Sequence, residues 1–397
     1  MKNLIVLITK DCLPLEALPC YDGCSYWRGK TPNIDELVKN GTIFKRHYTA
    51  GGSTAMSMSS MLTGRYPYEF KERKVYKKVK YAEFPSLFDI LQKRDYECHI
   101  IWDITWRDWG IDYVGEFGDL SKIRYHGIDI DQPTDCHGID TTIDRDDLLL
   151  EKSLKEIYNA FDSIKLDGKV FVWIHLPHII KGRRSYIDDI DAFDTVVGYA
   201  RYFFGDDNIY ISTDHGHMNM HKHISGYGFH VYEPIVHIPL ITPKIGNKDV
   251  VDQLTCNTDI PTILLDHKLP EKHDFVSSEI KYYAQPARKI AIITNRYKYI
   301  YNAADDHEEF YDLLWDPNEN YNILERYYKD KDRGKIVFYD EHYFYPYKNE
   351  ALQEYPKLLS YKKQVWRDNS LIEKIVIKLK IWLGPIKGLL VRIRSII

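Results

Sequence analysis

The chain has 397 residues, of which 28% are charged and 44% are hydrophobic. Such a chain is long enough for one large domain with a smaller appendage, and its composition is ordinary for a globular protein. The formal net charge of −4 at pH 7 gives it no general attraction to nucleic acid, so we expect no nucleic-acid partner.

The first predicted element is a buried strand over residues 3–9, a continuous apolar run that is followed by Lys10 and Asp11. This run is short, lacks a small-residue cleavage site and leads directly into Asp11, a candidate metal ligand. These features argue against a signal peptide. No run in the sequence is long enough to span a bilayer. We therefore expect a cytoplasmic protein with reduced thiols at its six cysteines.

Residues 53–65 carry the pattern of a helix that begins with hydroxyl residues. A short helix over residues 33–40 and a strand over residues 42–44 precede it, and small and apolar residues fill its length. At a helix start, unpaired N–H groups and the helix dipole stabilise a deprotonated oxygen and the anionic group that it attacks. A Ser/Thr cap before a buried helix gives the same pattern, so this stretch alone leaves both interpretations open.

Apolar strands alternate with helical patterns through the next part of the chain, which predicts an α/β sheet. The predicted helices cover residues 85–94, 148–161 and 188–203, and the predicted strands cover residues 98–102, 170–174 and 208–213. The aperiodic residues 106–147 between them predict either a loop that faces the substrate or a disordered segment.

The ends of two predicted strands supply side chains of the kind that bind metal ions. The first strand leads to Asp11, and residues 208–213 lead to Asp214 and His215. In a parallel α/β sheet, ligands gather beyond the carboxyl ends of the strands. We therefore expect one shared site with four members: Asp11, Thr54, Asp214 and His215.

The first domain is predicted to cover residues 1–270, and its last elements are a strand over residues 235–241 and a helix over residues 259–265. The composition changes after Pro270.

The second predicted domain, residues 271–326, is a small antiparallel sheet. Two β-rich runs within residues 289–301 flank a short turn, and residues 310–313 add an edge strand. Residues 327–397 form an extension in which residues 370–397 mix Lys and Arg with Ile and Leu. This mixture indicates basic amphipathic segments on a membrane surface or packing on the body or a dimer partner, and we expect membrane-surface contact. The sequence does not indicate the oligomeric state.

Several motifs, taken in their order along the chain, resemble the sulfatase family of the alkaline phosphatase superfamily. They lie at residues 3–7, 31–37, 54–65, 175–178, 212–216, 232–240, 296–300, 309–313 and 316–317. Agreement at so many points is far more specific than any single match. The resemblance implies an alkaline-phosphatase-like α/β fold, with a mostly parallel central sheet flanked by helices and a small C-terminal antiparallel sheet.

Two departures from the family pattern bear on the chemistry. The position that sulfatases convert to formylglycine is Thr54, and Met58 stands where an Arg is expected. A threonine at this position resembles the pattern of the phosphoglycerol and phosphoethanolamine transferases of the same superfamily, in which threonine is the covalent nucleophile. The second departure is Lys10 before Asp11, where sulfatases commonly carry two adjacent Asp residues.

The resemblance implies one divalent metal ion held by four residues: Asp11, Thr54, Asp214 and His215. An imidazole together with oxygen ligands suits Zn²⁺ or Mn²⁺ better than Ca²⁺, and Ca²⁺ and Mg²⁺ stay open as alternatives. It also implies Thr54 as the nucleophile, with Arg65 bracing its turn. His178 and His230 would hold the substrate's non-bridging oxygens or protonate the leaving alkoxide.

The sequence therefore predicts a metal-dependent hydrolase or transferase that acts on phosphate- or sulfate-type esters, with a glycan or a lipid-linked glycan as the expected substrate. One alternative is a sulfuric ester hydrolase that works without formylglycine. Another is a catalytically silent relative that binds an anionic glycan or serves as a scaffold. We expect a cytoplasmic protein, peripheral at the membrane.

Overall fold

The computed structural model describes residues 2–21, 30–70, 84–103, 119–128, 146–176, 186–219, 221–280, 288–330, 335–338 and 345–366. The helices are α1 (Pro32–Asn40), α2 (Thr54–Thr63), α3 (Leu87–Gln92), α4 (Asp146–Ser163), α5 (Tyr186–Phe204), α6 (Glu233–Val236), α7 (Ile260–Asp266) and α8 (Lys348–Val365). The strands of the first two-thirds of the chain are β1 (Leu4–Lys10), β2 (Gly41–Phe44), β3 (His47–Tyr48), β4 (Tyr96–Asp103), β5 (Ile123–Ile128), β6 (Lys169–Leu176), β7 (Ile209–Thr213), β8 (Met218–Asn219), β9 (Ser225–Gly226), β10 (Ile241–Pro243), β11 (Val250–Val251) and β12 (Thr255–Cys256). The remaining strands are β13 (Val276–Ile280), β14 (Lys289–Ile293), β15 (Tyr297–Asn302), β16 (His307–Asp312), β17 (Tyr327–Asp330) and β18 (Lys335–Phe338).

The chain divides into two compact units. The first contains Met1–Tyr227 and Pro234–His273, and the second contains Gly228–Glu233 and Asp274–Ile397.

An eight-stranded sheet forms the centre of the first unit, with the strand order β11-β2-β10-β7-β1-β6-β4-β5. The five strands from β7 to β5 run parallel to one another. β10 is antiparallel to both of its neighbours, and β11 is parallel to β2. The carboxyl ends of β7, β1, β6 and β4 therefore meet at one edge of the sheet, which is where ligands bind in folds of this kind.

Helices cover both faces of this sheet, and each face has its own hydrophobic core. Val6 and Ile8 of β1 belong to the core under α1, α4 and α5. Ile5 and Leu7 belong to the core under α2, α3 and α7. Successive residues of a strand point to opposite faces, so a strand that is covered on both sides must be apolar throughout. This explains the continuous apolar run at residues 4–8.

The second unit contains an antiparallel four-stranded sheet with the order β13-β14-β15-β16. The helix α8 packs on it through Tyr355, whose ring centroid lies 6.0 Å from that of Tyr299 and 5.4 Å from that of Phe310.

The mixed α/β architecture, the mostly parallel central sheet and the small antiparallel sheet confirm the predicted fold class, but two predicted elements are wrong. Part of the expected loop at residues 106–147 is β5, an edge strand whose half-exposed side chains give no apolar run. The rest of that loop, residues 106–118 and 129–145, lies outside the described residues. The strand expected at residues 235–241 is instead α6 followed by β10. Pro234 favours the first turn of a helix, and Pro239 cannot donate to a strand ladder.

None of the helices in the described part of the chain is both long and apolar enough to cross a membrane. Residues 370–397, for which we predict contact with a membrane surface, lie outside that part.

Candidate active site

Asp11 and the pair Asp214-His215 follow neighbouring strands of the central sheet. Asp11 comes directly after β1, and Asp214 comes directly after β7, which is the parallel neighbour of β1. Thr54 is the first residue of α2, on the face of the sheet where α2 shares its core. The structure thus brings together the four residues that the sequence predicted to share a site.

His215 lies at the centre of this group. Its Nε2 is 3.2 Å from Thr54 Oγ1, 3.4 Å from Asp214 Oδ2 and 3.8 Å from Asp11 Oδ1. His215 and Asp214 are fully buried, and Asp11 and Thr54 are 5% and 7% exposed. Zinc bonds of about 2.0–2.3 Å put neighbouring donor atoms about 3.3–3.8 Å apart. The spacing of these side chains therefore suits ligands of one cation.

Two carboxylate oxygens in the group lack a hydrogen-bond partner. Within the described residues, neither Asp11 Oδ1 nor Asp214 Oδ2 is hydrogen-bonded, although both atoms are buried. The other oxygen of Asp214 is well satisfied, because it accepts the backbone N–H of His215 at 2.8 Å and that of Cys12 at 3.3 Å. A buried, unpaired carboxylate oxygen is costly unless a cation or a donor compensates it. The two oxygens therefore fit a divalent cation.

The hydrogen bonding of His215 also suits a ligand. Its Nδ1 lies 2.9 Å from the carbonyl oxygen of Gly216, so an Nδ1–H donor leaves Nε2 with its lone pair toward the carboxylates. Metal-bound histidines commonly fix their tautomer in this way. Gly216 can have no side chain, because a Cβ atom there would lie 2.0 Å from the carbonyl oxygen of Pro234.

A buried polar network holds the turn before Thr54. The side-chain amide of Asn257 donates to Thr49 Oγ1 at 3.1 Å and to Ser57 Oγ at 2.9 Å, and its carbonyl accepts Ala50 N–H at 3.0 Å. The Ser57 hydroxyl in turn donates to the backbone carbonyl of Asp214. The network therefore connects the first turn of α2 to the loop that carries two candidate ligands.

Sequence reasoning did not identify Asn257, because it follows β12, some two hundred residues from Thr49, and no local pattern relates the two. It also missed Cys12, whose only signal was its position next to Asp11. Cys12 has a backbone φ of 58°, and its Sγ lies 3.9 Å from His215 Nδ1. Burial, followed by the charges of Asp11 and Asp214, raises the pKa of this thiol well above its usual value.

His175 lies at the end of β6, on the same side of the sheet as Trp173. Its Nδ1 is 2.9 Å from Thr9 Oγ1, and its ring contacts that of Trp102 at a centroid distance of 4.9 Å. Burial lowers the pKa of His175 to about 4, although the nearby Asp11 carboxylate acts in the opposite direction. The imidazole is therefore neutral at pH 7, which agrees with the hydrogen bonding of a core histidine.

Three further residues were predicted for the site: Arg65, His178 and His230. Arg65 follows the C-terminal end of α2, while Thr54 begins that helix. Its guanidinium pairs with Glu69 at 3.2 Å and lies over the ring of Phe84 at 5.2 Å. These contacts hold Arg65 in the turn after α2 rather than at the nucleophile. His178 lies outside the described residues.

His230 belongs to the second unit, in the segment Gly228–Glu233. Its Nδ1 lies 3.1 Å from Lys289 Nζ, and its ring stacks on Tyr232 with centroids 5.0 Å apart. The buried Lys298 holds the end of this segment, because its Nζ lies 2.9 Å from Glu233 Oε1 and 2.8 Å from Glu319 Oε1.

Comparison with known proteins places this geometry in context. The sulfatase family model matches residues 21–179, which is fewer than half of the residues in the chain. No curated protein matches the sequence.

Three similar solved structures each cover nearly the whole chain. The phosphonate monoester hydrolase of Agrobacterium radiobacter has a TM-score of 0.66 at 15% identity and covers 92% of this chain and 96% of its own. A 2-O glycosaminoglycan (GAG) sulfatase has a TM-score of 0.63 at 15% identity, with coverage of 92% and 93%. A structure in complex with its substrate D-glucosamine-2-N,6-O-disulfate also has a TM-score of 0.63 at 15% identity, with coverage of 91% and 98%.

The fold of the chain is therefore that of the sulfatase-like α/β proteins. The match to the sulfatase family model lies within the first half of the chain and includes Thr54.

Proposed function

We propose that the protein is a metal-dependent ester hydrolase with Thr54 as its nucleophile. The observation that carries this proposal is the distance of 3.2 Å between Thr54 Oγ1 and His215 Nε2, next to two buried carboxylate oxygens that have no hydrogen-bond partner among the described residues. A lone hydroxyl at a helix start is common, but one that lies beside an imidazole and two unsatisfied carboxylates is a candidate nucleophile.

Asp11, Asp214 and His215 would hold a divalent cation together with the Thr54 oxygen. Such a cation lowers the pKa of a neighbouring hydroxyl and neutralises charge on the group to be transferred. The backbone N–H groups at the N-terminus of α2 would bind the anionic oxygens of that group. The Thr54 oxygen and the anionic group that it attacks would therefore both be stabilised at the start of α2.

Attack by Thr54 Oγ1 would form a new bond to the phosphorus or sulfur of the substrate and break its ester bond. The Thr54 hydroxyl would lose its proton as this bond forms, and the leaving alkoxide would take up a proton and depart as an alcohol, while the transferred group stays covalently attached to Thr54. Water then attacks the same centre, releases the inorganic or monoester product, and restores the hydroxyl.

Two features favour a phosphate-type ester over a sulfate ester. Thr54 is not a precursor of formylglycine, and Met58, at the position of the expected Arg, is fully buried in the hydrophobic core. A similarly folded protein is a phosphonate monoester hydrolase. We propose a glycan or a lipid-linked glycan as the carrier of the ester, with membrane-surface contact through residues 370–397.

Hydrolysis of a sulfate ester is the second candidate function, because other proteins of this fold act on sulfated sugars. Transfer of phosphoglycerol or phosphoethanolamine would follow the same first step, with a sugar hydroxyl in place of water. A silent scaffold is less well supported, because it gives no reason for two unsatisfied carboxylates beside a buried imidazole.

The test is the intact mass of the purified protein after reaction with a chromogenic phosphodiester, with Zn²⁺, Mn²⁺, Mg²⁺ or Ca²⁺ supplied in turn. We expect a covalent adduct that maps to Thr54 and requires a metal ion. The matching sulfate ester, run in parallel, separates the two candidate functions by which substrate forms the adduct.

Thr54→Ala should abolish the adduct. The matched control is Thr63→Ala, which removes the same side chain at the other end of α2, where its hydroxyl donates to the Ser59 carbonyl. An adduct that survives in Thr54→Ala, or a wild-type protein that binds metal but forms no adduct and turns over neither ester, would overturn the proposal.

A further inference from the structure

We infer that the Cys12 thiolate is an additional ligand of the metal centre and makes this centre selective for a soft or borderline cation such as Zn²⁺. The inference rests on the metal site of the proposed function, but it concerns a residue that neither the sequence motifs nor the mechanism above requires.

The first observation is the grouping of donor atoms. Asp11, Cys12 and His215 each offer one donor atom, all three are buried, and these atoms lie within 4.8 Å of one another. Zinc–sulfur bonds of about 2.3 Å and zinc–nitrogen bonds of about 2.0 Å put the donor atoms of one zinc site slightly closer together than this. A small movement of the side chains toward the ion would close the difference. The group is therefore close enough to bind one ion.

The second observation is that two carboxylate oxygens near Cys12 lack hydrogen-bond partners. Asp11 Oδ1 and Asp214 Oδ2 are buried without a hydrogen-bond partner in the part of the chain that the structure describes. Both residues are at least nine-tenths buried. Two unpaired carboxylate oxygens beside a thiol fit a bound cation.

The third observation is the backbone of Cys12. Its φ of 58° lies in the left-handed region, which residues with a side chain seldom adopt. Its N–H donates to Asp214 Oδ1 at 3.3 Å, so this conformation fixes the residue directly beside the site. Strain of this kind is typical of positions that the surrounding structure holds for a purpose.

A thiolate ligand changes which cation the centre prefers. Oxygen ligands alone suit Mg²⁺, Ca²⁺ and Mn²⁺, whereas a thiolate with an imidazole favours Zn²⁺. On binding, the thiol proton of Cys12 is released to solvent and the sulfur lone pair bonds to the metal, so metal binding releases one more proton than the oxygen ligands and imidazole would account for.

The experiment loads the chain with Co²⁺. We expect an intense near-ultraviolet band from thiolate-to-cobalt charge transfer, together with weaker visible bands. Cys12→Ser should lose the near-ultraviolet band and keep the visible ones. Cys98→Ser is the matched control, because Cys98 is an equally buried cysteine whose thiol donates to the carbonyl of Tyr96 within β4.

Metal titrations give a second readout. Cys12→Ser should weaken Zn²⁺ binding by at least about 10-fold, since even the outer partners of metal ligands are worth about 10- to 100-fold. It should change Mn²⁺ affinity much less, and it should release one proton fewer per Zn²⁺ bound.

The outcomes separate this inference from the proposed function. If wild-type protein binds Co²⁺ without the charge-transfer band, the Cys12 inference is wrong while Thr54 chemistry stands. If the band is present but no adduct forms on Thr54, the inference holds and the proposed function fails. If no divalent metal binds at all, both fail.

Discussion

Lys10 Nζ lies 2.5 Å from Asp189 Oδ2, and both side chains are almost completely buried. Lys10 is the last residue of β1, and Asp189 lies in α5, which covers the face opposite to α2. The alternation of β1 thus directs Lys10 away from the candidate site. The lysine that stands where sulfatases commonly have a second Asp is therefore a structural residue that ties β1 to α5.

The Lys10–Asp189 pair gives a prediction about stability. Lys10→Met removes the buried cation that faces the Asp189 carboxylate, and removing one partner of a buried pair costs about 3–5 kcal/mol. We expect that loss in the free energy of unfolding measured with denaturant, with no loss of metal affinity. Lys39→Met is the matched control, because its partner Glu36 and Lys39 itself are exposed and such pairs contribute about 0–1 kcal/mol. Equal stability of the two variants would show that the buried pair is not important.

The sequence predicts the central part of this fold well because its signals are local. Strands that are covered on both faces must be continuously apolar, and β1, β6 and β7 carry that pattern. Asp11 and Asp214 follow directly from where such strands end. The strand β5 could not be found in this way, because its side chains are mostly half-exposed and it reaches the sheet only through its pairing with β4.

The parts of the site that were not predicted depend on contacts between distant segments. Asn257 is positioned by a strand and a turn that no motif connects to Thr54. The position of Cys12 beside the site could not be predicted, because it depends on a backbone angle that the neighbouring residues in the sequence do not reveal. Arg65 is a different case. It belongs to the sulfatase-like motif at residues 54–65, but its contacts lie after the C-terminal end of α2, whereas Thr54 begins that helix.

Asn257 should position the nucleophile. Asn257→Ala leaves the buried Ala50 N–H without its acceptor and removes one of the donors to the Ser57 hydroxyl, and an unsatisfied buried group costs about 1–3 kcal/mol. A shift of the Thr54 turn should also slow formation of the covalent adduct by about 10- to 100-fold, since displacements near 1 Å have effects of that size. Metal affinity should change little, because Asn257 is not a ligand. The adduct rate can be measured by quenched mass spectrometry.

Asn40→Ala, which removes an exposed amide at the end of α1, is the control for Asn257. If Asn257→Ala loses stability but forms the adduct at the wild-type rate, the network is only structural.

Metal removal should destabilise the protein. A cation present at 100 times its dissociation constant and bound only to the folded state stabilises that state by about 2.7 kcal/mol. Chelation should therefore lower the melting temperature of the wild-type protein. Asp214→Asn should melt at the same temperature with and without chelator, because it loses a ligand charge. Asp252→Asn, at an exposed carboxylate, should respond to chelator as the wild-type protein does. A wild-type melting temperature that does not depend on metal would contradict the assignment.

Acid stability should depend on His47, which is buried in β3 with its Nδ1 3.0 Å from Thr255 Oγ1. Burial lowers the pKa of His47 to about 3, and the nearby His237 acts in the same direction. The unfolded chain binds a proton below pH 6.5, whereas the folded protein does so only near pH 3. Stability from the neutral ring is therefore fully present above pH 6.5 and is lost progressively as the pH falls toward 3.

His47→Gln should accordingly lose less stability than the wild-type protein between pH 7 and pH 5, by about 2 kcal/mol. His273 supplies a comparison of opposite sign, because its hydrogen bond to Asp259 raises its pKa. That contribution is present below pH 6.5 and is lost as the pH rises through the raised pKa, so His273→Gln should lose more stability than the wild-type protein on acidification. Denaturant unfolding of all three proteins at pH 7 and pH 5 provides the measurement. Parallel pH dependence in His47→Gln and the wild-type protein would show that the His47 ring titrates equally in the folded and unfolded states.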